Sequence, residues 1–559
     1  MLLTRLGIAL TVFGVTTTAA RSAAACGGTF CDANPGPVEM PVDQTGENVL
    51  FVVDGDTIEA HVQIQYDGDA ESFAWLVPMM AVPEVEVGSE PMFQALLAAT
   101  VPTFTLLQRF EGTCDDDRGV AMCGMVLSDA GAELAAGDDG EEDSGGETPS
   151  VVIAGTAGAF EYAVLDGGTV AGVLAWLDDN GYAQDDEAAP ILQQYLDEGF
   201  VFTAFKLRAG AGVDAIHPVV LRYQGDEPCV PIRLTRIAAK PDMGVRVFFL
   251  GEARMAPTNY RHVVINPLRI EWASLGSNYG ELVTLAVDGD GANGHAFVTE
   301  YAGTPALVPT VGVRAPGWDA ARFAELSGTA VIDALVDQGL MRCDDGCVPQ
   351  HTLVAGLLRT YLPTPGGYDD EDWWAALRAG GAEPSEWDGA GFAAAMQERI
   401  VAPGEHAVEL LGAHTVLTRL FTTLSPVEMT ADPLFHANPA LPPVSNRFLA
   451  TQVFNCDGHS FIELEDGRII RDDDDGSPAR LDIVPAALRV ESMPGNGAPM
   501  LLVDHDGVSA DALAAWNEAH DGRSGQGCSI GRLHLHGLIM LGLLGAGMHA
   551  RRRRPRARA

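Results

Sequence analysis

The chain has 559 residues, enough for two or three hydrophobic cores, and acidic residues outnumber basic ones 77 to 34 for a net charge of −43. Without residues 1–25 and 551–559, which hold eight arginines and no acid, the net charge falls to near −51. Such a surface repels nucleic acid and anionic lipid, which excludes both as partners; solubility in a salty medium explains the acidity better than calcium capture by exposed carboxylates.

At the front, Arg5, the apolar run 6–15 and Ala23-Ala24-Ala25 before Cys26 make a secretory signal, so 1–25 is left out of the fold. Cys26 also invites a lipoprotein reading, which Ala23, standing three positions before it instead of Leu, argues against. An apolar run at 49–53 and an Asp54-Gly55-Asp56 turn precede an alternating stretch, 58–66. That stretch puts Ile58, Ala60, Val62, Ile64 and Tyr66 on one strand face. The run 73–77 returns as a strand closed by Pro78. Ser89 then caps a helix with Pro91 in its first turn and Phe93, Leu96 and Leu97 on one face.

Residues 135–150 have no apolar periodicity and read as a disordered acidic loop. Strands resume at 151–153 and 159–165. Thr169 caps a helix carrying Val170, Val173, Leu174 and Leu177 that stops at Asn180-Gly181, and a second carries Ile191, Leu192, Tyr195 and Leu196 as far as Gly199. Tyr66-x-Gly68-Asp69 is echoed by Tyr223-x-Gly225-Asp226, each read as strand, tight turn, strand; a duplication and two similar hairpins both account for this. Strands are expected at 245–250, 262–265, 281–287 and 295–301, and helices at 318–341 and 405–424 around a Gly/Pro/Trp-rich stretch, 363–387. A Pro-rich segment, 432–444, leads to a β-rich part at 447–503.

The fold class is therefore α+β. An antiparallel β-rich domain with inserted helices (26–310) is followed by a mainly helical region (311–430) and a small β-rich region (431–510). A linker (511–532) and a tail (533–559) complete the chain.

Nine cysteines are present, and setting aside Cys528 leaves an even number, which in an exported protein favours disulfides. Cys26/Cys31, Cys114/Cys123 and Cys343/Cys347 are close pairs, the last two enclosing acidic loops. Elimination leaves Cys229 with Cys456 as a long-range staple; spacing does not fix connectivity, so this pairing stands as a hypothesis. Zinc at Cys343-x3-Cys347 lacks a second Cys/His pair.

No motif assigns a catalytic, cofactor or metal residue. Gly289-x-Gly291-x-x-Gly294 fits a dinucleotide pattern but precedes a strand, so it reads as a hairpin turn. Asp288, Asp290 and Asn293 offer oxygens for calcium, but Ala292 and Thr299 occupy positions where an EF-hand needs acids. Gly527-x-Ser529-x-Gly531 matches a nucleophile elbow outside any strand–turn–helix. His406, Glu409 and His414 share an expected helix without H-E-x-x-H, and His406 reads as a surface histidine. The acids 472–475 read as a solvated turn, and Trp373-Trp374 as an aromatic pair tucked under a loop rather than an exposed binding pair.

The tail runs from Cys528 through an apolar stretch, 533–550, to Arg551–Arg554, Arg556 and Arg558. Its unbroken core of twelve residues, 537–548, spans roughly 18 Å as a helix against a bilayer core of about 30 Å. The longer stretch includes His534, His536 and His549, so this is a marginal span whose arginines stay cytoplasmic. The order Cys, apolar run, Arg cluster resembles the MYXO-CTERM sorting tail, which implies export, processing near Cys528 and retention at the surface; an ordinary single-span anchor is the alternative.

The body of the chain resembles the domain-of-unknown-function family 2330. The likeness is carried by Cys26-Gly27-Gly28-x-Phe30-Cys31, Pro41-Val42-Asp43-Gln44, His61-Val62-Gln63-Ile64-Gln65-Tyr66, Phe73-Ala74-Trp75 and Trp176-Leu177-x-x-Asn180-Gly181-Tyr182. It continues through 228–234, Asn259-Tyr260-x-His262, 296–301 and Leu424-Ser425-Pro426-x-Glu428-Met429-Thr430, covering most of 26–490. The resemblance implies an exported protein and no assigned activity. The function expected is thus a non-enzymatic, surface-retained binding or envelope protein whose partner is a surface ligand or envelope component, touching membrane only through its tail. The alternative is a secreted metal-dependent hydrolase whose Asp, Glu and His residues converge only in the fold.

Overall fold

Alternation at 58–66 produces the strand Thr57–Gly68, which folds back on Val42–Asp54 through a turn that Gly55 closes at φ 62°. Val49 faces Val62 and Phe51 faces Ala60 across this pair. The structure, a computed structural model, describes residues 42–520 except 69–73, 112–147, 183–186, 209–214, 345, 456–459 and 474–479.

These two strands belong to a ten-stranded sheet. Its order is Met500–Asp504, Ala487–Ser492, Arg261–Ile265, Ala296–Gly303, Val416–Leu424, Ala239–Gly251, Val42–Asp54, Thr57–Gly68, Val219–Gln224, Glu84–Val87. Two neighbouring pairs are parallel, Val42–Asp54 with Ala239–Gly251 and Arg261–Ile265 with Ala296–Gly303; the others are antiparallel. Strands from both sides of residues 310 and 430 share it. The architecture is α+β with antiparallel-rich sheets, in agreement with the sequence reading.

One face of the sheet, with Val49, Phe51, Ile58, Ala60, Val247 and Phe249, packs toward Trp75, Val77 and Phe205. Those three come from a second antiparallel sheet, Ala74–Met79, Val201–Leu207, Phe160–Asp166 and Ser150–Ala157. The helices Val170–Asp179, capped by Thr169, and Ala188–Asp197, both stopped where expected, cover its far side through Val173, Leu177, Ile191 and Tyr195. The other face of the main sheet, with Leu50, Val52, Phe248 and Leu250, is covered by helices Glu90–Thr100 and Ala402–Ala413 through Phe93, Leu96, Ala407 and Leu411. Ser89 accepts from the amide of Met92, as its place before Pro91 predicts. Residues 318–401 form a separate helical core around Phe323, Leu335, Trp374 and Phe392. A small sheet, Ile469–Arg471, Ser460–Leu464, Arg447–Asn455 and Thr103–Glu111, lies beyond the Arg261–Ile265 side.

Several expected elements differ. The helix drawn at 405–424 ends at Ala413, and Val416–Leu424 is a strand at the middle of the main sheet. Val416, Leu417, Leu420, Phe421 and Leu424 recur at helical spacing, yet both faces of the strand are covered and the Thr and Arg residues between them are buried too. The strand drawn at 281–287 is the helix Tyr279–Val287, which buries Leu282, Val283, Ala286 and Val287 at helical spacing despite its β-branched residues. Within 318–341 only Val331–Asp337 is α-helix. Ala74–Met79 pairs with Val201–Leu207 instead of returning on Thr57–Gly68, and Pro78 lies inside it. The echoed segments are therefore not twin hairpins: Val219–Gln224 pairs with Thr57–Gly68 itself and leads to a short helix, Ile232–Thr235. The first residues of the expected linker belong to a helix, Asp506–Ala519.

Candidate functional site

Because Ile58, Ala60 and Val62 face one core, Glu59, His61 and Gln63 point to the opposite face, toward the helices Glu90–Thr100 and Ala402–Ala413. There Glu59 Oε1 lies 2.7 Å from His61 Nε2 and 2.5 Å from His406 Nε2. Glu59 Oε2 accepts from Arg222 at 2.7 and 3.1 Å. Burial alone would raise the Glu59 pKa, but hydrogen bonds from His406, His61 and Arg222 outweigh it and hold the carboxyl far below the usual range. Burial lowers the His61 pKa, whereas the bond to Glu59 raises that of His406. The three side chains bring two imidazole nitrogens and one carboxylate oxygen within 4.8 Å of one another, a donor set suited to zinc with a coordination position to spare. Among the described residues His61 Nδ1 has no hydrogen-bond partner, so a ligating His61 would lack the usual acceptor behind its ring.

A second polar group sits at the other end of the sheet. Register pairs His262 with Glu491 and with Phe297, which sets Thr299 diagonally beside His262 on the parallel neighbour. A chain of contacts results. Glu491 Oε2 lies 3.1 Å from His262 Nδ1, His262 Nε2 lies 3.0 Å from Thr299 Oγ1, and Arg254 donates to Thr299 Oγ1 at 2.9 Å. Arg254 also donates to the Pro442 carbonyl at 2.9 Å. Burial lowers the His262 pKa and brings that of Arg254 down to about 10, so at neutral pH the imidazole is neutral and the guanidinium charged. The hydrogen bond from His262 lowers the pKa of Glu491.

This network forms part of the wall of a cavity of about 670 Å³ between the main sheet and the small sheet. Val263, Ile270, Trp272, Val298, Phe448 and Leu464 supply apolar walls, and exposed Glu465 and Asp466 mark its open side. Size and lining match those of small-molecule sites.

Residues 20–311 match the family DUF2330, described as "Uncharacterized protein conserved in bacteria". The chain belongs to this family. The match takes in slightly more than half of the sequence. No curated protein and no solved structure matches the chain. The DUF2330 span contains Glu59, His61, Arg222, Arg254, His262 and Thr299, while His406, Arg489 and Glu491 lie beyond it. The motif at Leu424–Thr430 also lies beyond it, so the shown likeness is shorter than the 26–490 read from motifs.

Of the residues singled out in the sequence, Cys343 and Cys347 face each other across a two-stranded hairpin, Met341–Cys343 with Cys347–Pro349, and form a disulfide. Cys229 is a buried free thiol whose pKa burial pushes well up; its proposed partner, Cys456, lies outside the described residues. So do Cys26, Cys31, Cys114, Cys123, Cys528, the signal, most of the acidic loop 135–150 and the whole tail. No helix among the described residues is long and apolar enough to cross a membrane.

The glycine loop 289–294 joins a helix to a strand rather than two strands, and it is not the strand-to-helix turn a dinucleotide needs. Of its calcium candidates, Asp288 is raised to about 6 by burial and by sharing a hydrogen bond with Glu428. Trp373 and Trp374 are buried against a core, as expected, and they sit there on the helix Asp370–Arg378 of the helical unit. Asp472 is buried, not solvated, and accepts from the Ser460 hydroxyl. His406 is no free surface histidine, while His414 ends the helix away from Glu59. The signal for the first cluster was the pair Glu59-x-His61 on the polar side of a strand whose other side is core. Nothing local announced His406, 347 residues away.

Proposed function

We propose that this DUF2330 protein is exported, is retained at the cell surface, and there binds a ligand without transforming it, the cavity beneath the small sheet being the ligand seat. The observation that carries this reading is a cavity of about 670 Å³ with apolar walls and a buried polar end. Export and retention rest on the composition of residues 1–25 and on the Cys528–apolar–Arg order of the tail. The second reading, a metal-dependent hydrolase, draws on Glu59, His61 and His406. It ranks second because the free oxygen of Glu59 is already taken by Arg222, and none of the three lines the cavity.

The test is to purify the mature protein from fractionated cells and weigh it by native and denaturing mass spectrometry. A surface-fraction protein shortened at both ends, with a small molecule that leaves on denaturation, is the expected result. Full-length chain in the cytosol with reduced thiols overturns export and retention. Peptidase or esterase turnover abolished by a chelator and by His406→Ala overturns the passive-binding reading in favour of the second.

A further inference from the structure

The cavity, taken as the ligand seat proposed above, also indicates the chemistry of its ligand. Three other buried or half-buried arginines meet a carboxylate directly: Arg419 with Glu300, Arg233 with Asp432, Arg222 with Glu59. Arg254 does not. Its residue is 8% exposed; among the described residues its two terminal nitrogens find only the Pro442 carbonyl and the Thr299 hydroxyl, and its Nε–H has no partner. Arg489, on the same wall, likewise has a buried Nε–H without an acceptor. The nearby carboxylate, Glu491, is engaged by His262. Leaving a charged donor unsatisfied inside a protein is costly, and such groups normally have a partner that the bare chain does not supply.

Charge at this end of the cavity sums simply. Arg254 and Arg489 are cations, Glu491 is an anion, and buried His262 is neutral, which leaves one uncompensated positive charge. A single carboxylate balances it, whereas a phosphate dianion would bring excess negative charge beside Glu491. Elsewhere the walls carry Glu465 and the Arg468–Asp466 ion pair at the open side and are otherwise aliphatic and aromatic, with Ile270, Trp272, Val298, Phe448 and Leu464. We propose that the cavity binds a single-chain amphiphile with a carboxylate head, a fatty acid being the simplest, with its head against Arg254 and Arg489 and its chain along the apolar walls.

The experiment titrates delipidated mature protein with laurate, dodecanol and dodecyl phosphate, each below its micellar range, by calorimetry. Laurate should bind best, and Arg254→Gln should weaken it about tenfold or more while leaving dodecanol unchanged, since a hydrogen bond to a charged group is lost. Arg489→Gln, at a half-exposed position without a hydrogen bond to lose, supplies the same comparison should Arg254→Gln fail to fold. Val264→Trp, at a half-buried lining position paired with Arg489 and on the face that carries His262 and Glu491, should fill the cavity and abolish binding of all three. Dodecanol binding as tightly as laurate, with both arginine variants silent, overturns the carboxylate inference and leaves the cavity reading standing. A preference for dodecyl phosphate also overturns the choice of head group. Failure of all three, together with no ligand on protein taken from the cell surface, removes both.

Discussion

Replacing Arg419 by Met isolates the energetics of the sheet's interior. Arg419 lies on the central strand Val416–Leu424, its Nε 2.5 Å from Glu300 Oε2, with the two side chains 4% and 2% exposed. It also donates to the Leu97 carbonyl at 3.2 Å and to Thr100 Oγ1 at 3.1 Å, tying down the end of the helix Glu90–Thr100. Burial already raises the Glu300 pKa against the pull of Arg419 and Arg246. Met keeps much of the apolar stem and removes the cation, so Glu300 is left as a poorly compensated buried acid; breaking such a pair costs about 3–5 kcal/mol. With its folded-state pKa raised further, Glu300 destabilises increasingly as pH rises, so the loss is smaller at pH 5 than at pH 8. Urea unfolding followed by tryptophan fluorescence and circular dichroism measures it. The double variant Glu300→Gln/Arg419→Met should regain a large part of the loss, because neither charge then remains buried. A single-variant loss below about 1 kcal/mol, or a double variant no more stable than the single, refutes this account.

Two further outcomes follow from the geometry. The His406 pKa is raised above 6.5 by Glu59, so its contribution to stability is full below about pH 6.5 and is lost as pH rises through the folded-state value. His406→Ala should flatten stability against pH over that interval, and an unchanged slope would count against the contact. Opening the short loop between Cys343 and Cys347 with the double change to Ser should cost about 2 kcal/mol on chain-entropy grounds. Near-ultraviolet signals from Trp373 and Trp374 should report it before the sheets lose structure; simultaneous loss of both signals would contradict a separately cored helical unit.

Local structure is legible in the sequence where both periodicity and punctuation are present. The alternation through Ile58, Ala60 and Val62 and the caps at Ser89 and Thr169 each have one physical interpretation, and the fold adopts it. Val416–Leu424 misleads because both its faces are buried: Thr418, Arg419, Thr422 and Thr423 lie inside with Leu417, Leu420 and Phe421, so polarity marks no strand alternation. Tyr279–Val287 failed for the opposite reason: its Val and Thr favour strand, and packing against the sheet overrules them. The sites were less legible still. Glu59 meets His406, and His262 meets Glu491, across separations of 347 and 229 residues, and contacts of that range follow from strand order, which no motif encodes. The half of the Glu59 cluster visible in sequence was the alternation itself, since a carboxylate and an imidazole two apart must share a face.

The position of Val416–Leu424 bears on where this protein can be cut. That strand alone joins Ala239–Gly251 to Ala296–Gly303, so the span 20–311 defining the family holds two fragments of sheet with nothing between them. Severed there, each fragment would present a bare row of backbone donors and acceptors, an invitation to pair with other molecules. Evolutionary kinship and folding autonomy thus end at different residues, and nascent chain must reach past residue 424 before its largest sheet can close.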